Sequence, residues 1–214
     1  MAKIIKLTRK YWRRLKKHPW AKWVLLGAGG AAILAVAAVV LLGGRSEVTG
    51  FGENTTTISL VAGGDLNVTD NTVASGKTGS GYDYTRPFLD VAEIFAGADG
   101  ALLNFEGNFY GEPYGSATVS APLAMAQTLK AMGVDFLQVA NSCTVKNGML
   151  GLKQTLNSIR QTGMEPLGAY ESNSDAARQQ GFVLRDIGGV RVALVAFTKG
   201  MSGYGLPEGS ENLV

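Results

Sequence analysis

The apolar positions of the chain change rhythm near residue 45. Residues 23–44 are 22 uncharged positions between Lys22 and Arg45, rich in Ala, Val, Leu and Gly. They show no polar face at helical spacing, as a soluble helix would. A helix of about 20 residues spans the ~30 Å hydrocarbon layer of a bilayer, so 23–44 is expected to be a single transmembrane helix. A polar, glycine-containing linker over 45–56 follows, and the pattern then breaks into short β-rich runs alternating with amphipathic ones. The run 57–63 predicts a buried strand that stops at glycines. Residues 86–96 carry Phe88, Val91, Ala92 and Phe95 at helical spacing, 101–105 reads as a strand, 122–132 as a helix opened by Pro122, and 135–140 as a strand. A helix over 149–161 places Leu152, Leu156 and Ile159 on one face. A short run at 166–168, a helix at 174–179 and strands at 182–187 and 191–198 follow, with Gly188-Gly189 suited to a tight hairpin turn. Residues 201–214 have no period and read as loop. Strands alternating with helices predict an α/β domain over 57–200, with a largely parallel sheet covered by helices and an antiparallel pair at its end. The last strand is apolar on both faces, at Val192, Leu194, Val195 and Phe197, and so expects neighbours on both sides.

Charge sharpens this picture. The net charge of +3 hides a segregation: nine Lys and Arg precede the apolar stretch, and the first acidic residue is Glu47. From Arg45 onward there are eleven basic and seventeen acidic residues, a net of −6. The basic character belongs to the tail over 1–22. An acidic domain is repelled by a phosphate backbone, which excludes nucleic acid as its partner. Basic residues on one flank of the span, with Tyr11, Trp12, Trp20 and Trp23 clustered beside them, place the N-terminus in the cytoplasm and the domain outside. A cleaved signal peptide fits less well, because the run exceeds the usual h-region of about 7–15 residues and no Ala-x-Ala-like site precedes Arg45. The membrane is thus the first expected partner. Cys143 is the only cysteine, so no intrachain disulfide forms and the exported domain relies on its core.

In parallel α/β folds, sites form outside the carboxyl ends of the strands. Three polar clusters fall at such positions: Asp65 and Asn67 after the first strand, Asn104 and Glu106 at the end of the second, and Asn141 to Cys143 after the third. Together they would bring two carboxylates, several amides and a thiol to one rim. Asp65 and Glu106 are the candidate ligands for a hard cation, with amide oxygens of Asn67, Asn104 and Asn141 as weak supplements. Each cluster alone also fits a turn or a helix cap.

The order of these motifs resembles one family. Leu60-Val61-Ala62-Gly63-Gly64-Asp65, Tyr82-Asp83-Tyr84, and Ala98-Asp99-Gly100-Ala101-Leu102-Leu103-Asn104-Phe105-Glu106 are similar to CapA proteins of capsule and poly-gamma-glutamate synthesis. Leu129 to Asp135, Val139-Ala140-Asn141 and Gly189 to Ala193 continue the likeness, which covers about 57–198. The resemblance implies a layered α/β sandwich of the calcineurin-like metallophosphatase type with a metal site at the sheet edge, tethered by an N-terminal helix. It also implies other polymer-synthesis membrane proteins, or an anionic polymer, as partners, and a divalent metal ion as the one cofactor to consider. Two departures qualify it. Where the family reads Ala-Asn-Asn-His and then Asp three residues on, this chain has Ala140-Asn141-Ser142-Cys143 and then Lys146, and its single histidine, His18, lies in the basic tail. A dinuclear hydrolytic centre needs imidazole beside carboxylates, so a non-catalytic role is expected, with a metal-dependent phosphoesterase or polymer hydrolase, or an inactive fragment, as the alternatives. The family pattern also continues past the point where this chain stops, which leads to the expectation of an incomplete domain.

Overall fold

A computed structural model describes residues 55–214; the basic tail, the apolar stretch over 23–44 and most of the linker lie outside the described residues. Among the described residues no helix is long and apolar enough to cross a membrane. The elements run β1 (Leu60–Asn67), α1 (Asp70–Ser75), α2 (Thr85–Ala96), β2 (Gly100–Glu106), α3 (Leu123–Ala131), β3 (Phe136–Gln138), α4 (Gly148–Gln161), β4 (Glu165–Leu167), α5 (Asn173–Gln179), β5 (Val183–Ile187) and β6 (Val190–Leu194). Strands β1 to β4 form one parallel sheet in chain order, and β5 and β6 form an antiparallel pair. Parallel neighbours need crossovers, and the helices between the strands supply them, so the fold is α/β as the alternation implied.

Successive residues of β2 face opposite sides of the sheet. Ala101, Leu103 and Phe105 join Phe95 of α2, Met125 and Leu129 of α3, and Leu152, Leu156 and Ile159 of α4 in the larger core. On the opposite face Leu102, Phe136 and Leu167 meet Val183, Ile187, Val192 and Leu194 of the hairpin. The hairpin turns through Gly188 and Gly189, both at positive φ (58° and 85°), which is the backbone a two-residue turn requires. Beyond the hairpin's cover, β2 carries the polar pair Asn104 and Glu106 on this second face.

Several boundaries depart from the sequence reading. Strand β1 starts later than residue 57 and continues through the glycines to Asn67, so Asp65 and Asn67 lie within the strand and not after it. In α2 the inward stripe is Phe88, Ala92 and Phe95, at spacings of four and three, while Val91 is 38 % exposed at its margin. Helix α1, capped by the Thr69 hydroxyl accepting from Thr72 N, has too short an apolar pattern to register as a helix in the sequence. Strand β6 ends at Leu194 and pairs only with β5 among the described residues, leaving Val195 and Phe197 64 % and 82 % exposed; the expected second neighbour is not there. Residues 201–214 form no helix or strand, yet they fold back: Leu213 is buried, and its carbonyl accepts from Tyr170 N at 2.8 Å.

Candidate functional site

An irregularity in β1 builds the site. The register pairs Ala62 with Leu102 and then Asp65 with Asn104, so β1 carries one more residue than β2 over this stretch, a bulge at Gly63-Gly64. A side chain at Gly63 would put its Cβ 2.1 Å from Leu103 Cδ2, so glycine lets β1 pass this close without displacing the Leu103 methyl. Because side chains alternate between faces, the extra residue moves Asp65 from the helix-covered face to the one that carries Asn104 and Glu106.

There the Asn104 amide lies between the two carboxylates. Its Nδ2 donates to Asp65 Oδ1 at 2.7 Å and to Glu106 Oε1 at 3.2 Å. The other Glu106 oxygen accepts from Ser142 Oγ at 2.9 Å. Asn141, 5 % exposed, orients the bridge: its Nδ2 donates to Asn104 Oδ1 at 2.9 Å and to the Phe105 carbonyl at 2.8 Å. Its own Oδ1 accepts from Cys143 N at 3.0 Å. Thr144 Oγ1 clamps the turn, accepting from Asn141 N at 2.9 Å and standing 2.6 Å from the Val139 carbonyl. Asn108 Nδ2 holds the Cys143 carbonyl at 2.9 Å. Buried polar groups persist when paired in this way.

Five of the six residues singled out from sequence, Asp65, Asn104, Glu106, Asn141 and Cys143, therefore belong to one hydrogen-bonded chain. Asn67 stands in register with Glu106 but is exposed, and its backbone carbonyl accepts from Thr72 Oγ1 at 2.8 Å. Ser142 falls within the third polar cluster, between two of the singled-out residues, but its bond to Glu106 is the part that residue type alone does not reveal. Cys143 is half-buried. Burial pushes its thiol above the ordinary value and the Glu106 carboxylate adds to this, against the opposing effects of the Ser142 hydroxyl and Lys146, so it is a protonated thiol at neutral pH. Lys146 turns elsewhere, donating from Nζ to Tyr204 Oη at 2.7 Å.

The donor set does not suit a resident dinuclear metal centre. Both Glu106 oxygens, one Asp65 oxygen and the Asn104 and Asn141 oxygens already accept hydrogen bonds from within the chain. Among the described residues no three His, Cys, Asp or Glu side chains converge as ligands.

A family model described as bacterial capsule synthesis protein PGA_cap matches residues 59–212, a span that takes in all six strands and every residue of the network. No curated protein matches the chain.

Proposed function

Because the chain belongs to the PGA_cap family of bacterial capsule synthesis proteins, we propose that it serves capsule or poly-gamma-glutamate-type polymer synthesis or export as a membrane-tethered, non-catalytic component. The tether is the apolar stretch over 23–44, with the domain on the outer side of the membrane. The observation that carries the non-catalytic part is the Asn104 amide between Asp65 and Glu106. A hydrolytic site of this chemistry uses a cation between carboxylates to activate water. Here an amide donates to both carboxylates and a serine hydroxyl to the second oxygen of Glu106. Neutral donors satisfy the carboxylates without the charge needed to lower the pKa of a bound water.

The test uses the full chain in detergent, titrated with Mn²⁺ and Zn²⁺ by calorimetry and assayed for hydrolysis of a chromogenic phosphodiester. No stoichiometric tight binding and no turnover above the level of Asp65→Ala are expected. Two tightly bound ions, lost in Asp65→Ala and Glu106→Ala together with turnover, would establish the hydrolase instead.

A further inference from the structure

A second concave surface lies away from the carboxylate network and does not rest on the reading above. Residues 107–121, between β2 and α3, form a loop packed along α4. Phe109 N donates to Thr155 Oγ1 of α4 at 3.0 Å, and Asn147 Nδ2 donates to the Thr118 carbonyl at 2.8 Å. Inside the loop, Tyr110 N and Gly111 N both donate to the fully buried Ser120 hydroxyl, at 3.2 Å and 3.1 Å. That hydroxyl donates back to the Gly111 carbonyl at 2.7 Å. The loop is thus held in one shape before any ligand arrives, which removes an ordering cost from binding.

Between loop and helix runs an open groove of about 410 Å³. One wall carries Tyr110, 39 % exposed, and Tyr114, whose ring packs edge-on against Tyr82 at 5.5 Å. The other wall is a single stripe of α4, Gln154, Asn157, Ser158 and Gln161, at successive spacings of three, one and three. None of the groove's lining residues is charged. Helix α4 does carry charge, at Lys153 and Arg160, but outside this stripe.

We propose that this groove is a binding site for a neutral saccharide segment. A sugar hydroxyl is donor and acceptor at once, and so is a carboxamide, so a row of exposed amides matches a row of hydroxyls without a fixed polarity. An aromatic ring offers a flat apolar face with a polar rim, which suits the C–H face of a pyranose. A polyanion such as polyglutamate would find no cation here and would lose hydration without compensation. The open groove suits part of a polymer more than an enclosed small molecule.

The test applies the full chain, held in a detergent without a sugar headgroup, to an array of neutral hexasaccharides of glucose, galactose, mannose and N-acetylated hexosamines in α and β linkages. Hexaglutamate is the charged control. At least one neutral class should bind, with an affinity unchanged between about 0.05 and 0.5 M salt because no charge pairing is involved. Tyr110→Ala and Asn157→Ala should each weaken it about tenfold, as expected for a contact residue at the centre of a binding surface. The hairpin variant Arg191→Ala should leave it unchanged. Asn157 is exposed on a helix, so its variant keeps the native melting midpoint and a loss of binding cannot come from unfolding. Two results would overturn the proposal: no neutral hexasaccharide retained above the level of the Asn157→Ala variant, or preferential, salt-sensitive binding of hexaglutamate.

Discussion

Asn104→Asp tests whether the amide holds two carboxylates together. The native Nδ2 makes charge-assisted hydrogen bonds to Asp65 and Glu106 at 2.7 Å and 3.2 Å. Such bonds contribute about 1.5–3 kcal/mol each when well buried; Asp65 is exposed and Glu106 only partly buried, so the lower end applies to both. The substitution also replaces attraction by repulsion, which at ~4 Å costs ~1 kcal/mol per pair in water and ~4 kcal/mol at an effective dielectric of 20. Taking the solvent-exposed end again, the combined loss is about 5 kcal/mol, a large share of a typical domain stability of about 5–15 kcal/mol. For a domain of this size that lowers the midpoint by roughly 10–20 °C. The variant would then present three carboxylates, the oxygen-rich set that Ca²⁺ prefers, and saturating Ca²⁺ at 100 times its Kd returns about 2.7 kcal/mol. Differential scanning calorimetry with and without Ca²⁺ reads both effects. A variant that melts within about 2 °C of the native protein and ignores Ca²⁺ would show that Asn104 does not bridge the carboxylates.

Three further outcomes are expected. Asp175 is held below the ordinary carboxylate range despite burial, the largest influence and one that alone would raise it, by Gln179, the Glu171 N–H, Arg160 and Arg178. Its stabilisation is therefore complete above the unfolded carboxylate value of about 4 and is lost as pH falls through the lower folded value; Asp175→Asn should cost about 2 kcal/mol in urea melts at pH 7 and progressively less below pH 4. Gly168, at φ +82°, would bring a Cβ to 2.6 Å from Ala140 Cβ and 2.8 Å from the Ala196 carbonyl, so Gly168→Ala should destabilise by about 3 kcal/mol, measured the same way. Protease added outside intact cells should release a fragment containing residues 57–214 and spare the basic tail; protection of that fragment would reverse the proposed orientation.

What the sequence disclosed, and what it hid, follows from the range of the interactions. Leu152, Leu156 and Ile159 repeat at helical spacing and are buried to 1 % or less, because a helix period is a local property. The hairpin was legible because Gly188-Gly189 is the local signal for its turn. Strand β1 runs on through the glycine pair, which ends many strands but here forms a bulge where Gly63 passes close to Leu103 of the neighbouring strand, 40 residues away in sequence. The candidate site was legible as residue types at strand ends. Its bonding was not, since nothing in the order Asn104-Phe105-Glu106 or Asn141-Ser142-Cys143 says that the amide at 104 faces both carboxylates or that the hydroxyl at 142 takes the remaining oxygen. The sparing of Val195 and Phe197 from burial likewise depends on which strand stands beside them, a matter of tertiary packing.

The strand order β1-β2-β3-β4 has a consequence for how the domain comes into being. Each strand after β1 follows in sequence the strand it first pairs with, so the sheet can grow from its N-terminal edge without waiting for a distant segment. The carboxylates mature in two steps on that schedule. Docking of β2 on β1 brings Asn104 between Asp65 and Glu106, but Glu106 keeps one oxygen unclaimed until Ser142 emerges 36 residues later. The Asn141 turn that orients the amide belongs to that same later segment, so the acidic pair is fully bonded only when β3 has joined the sheet.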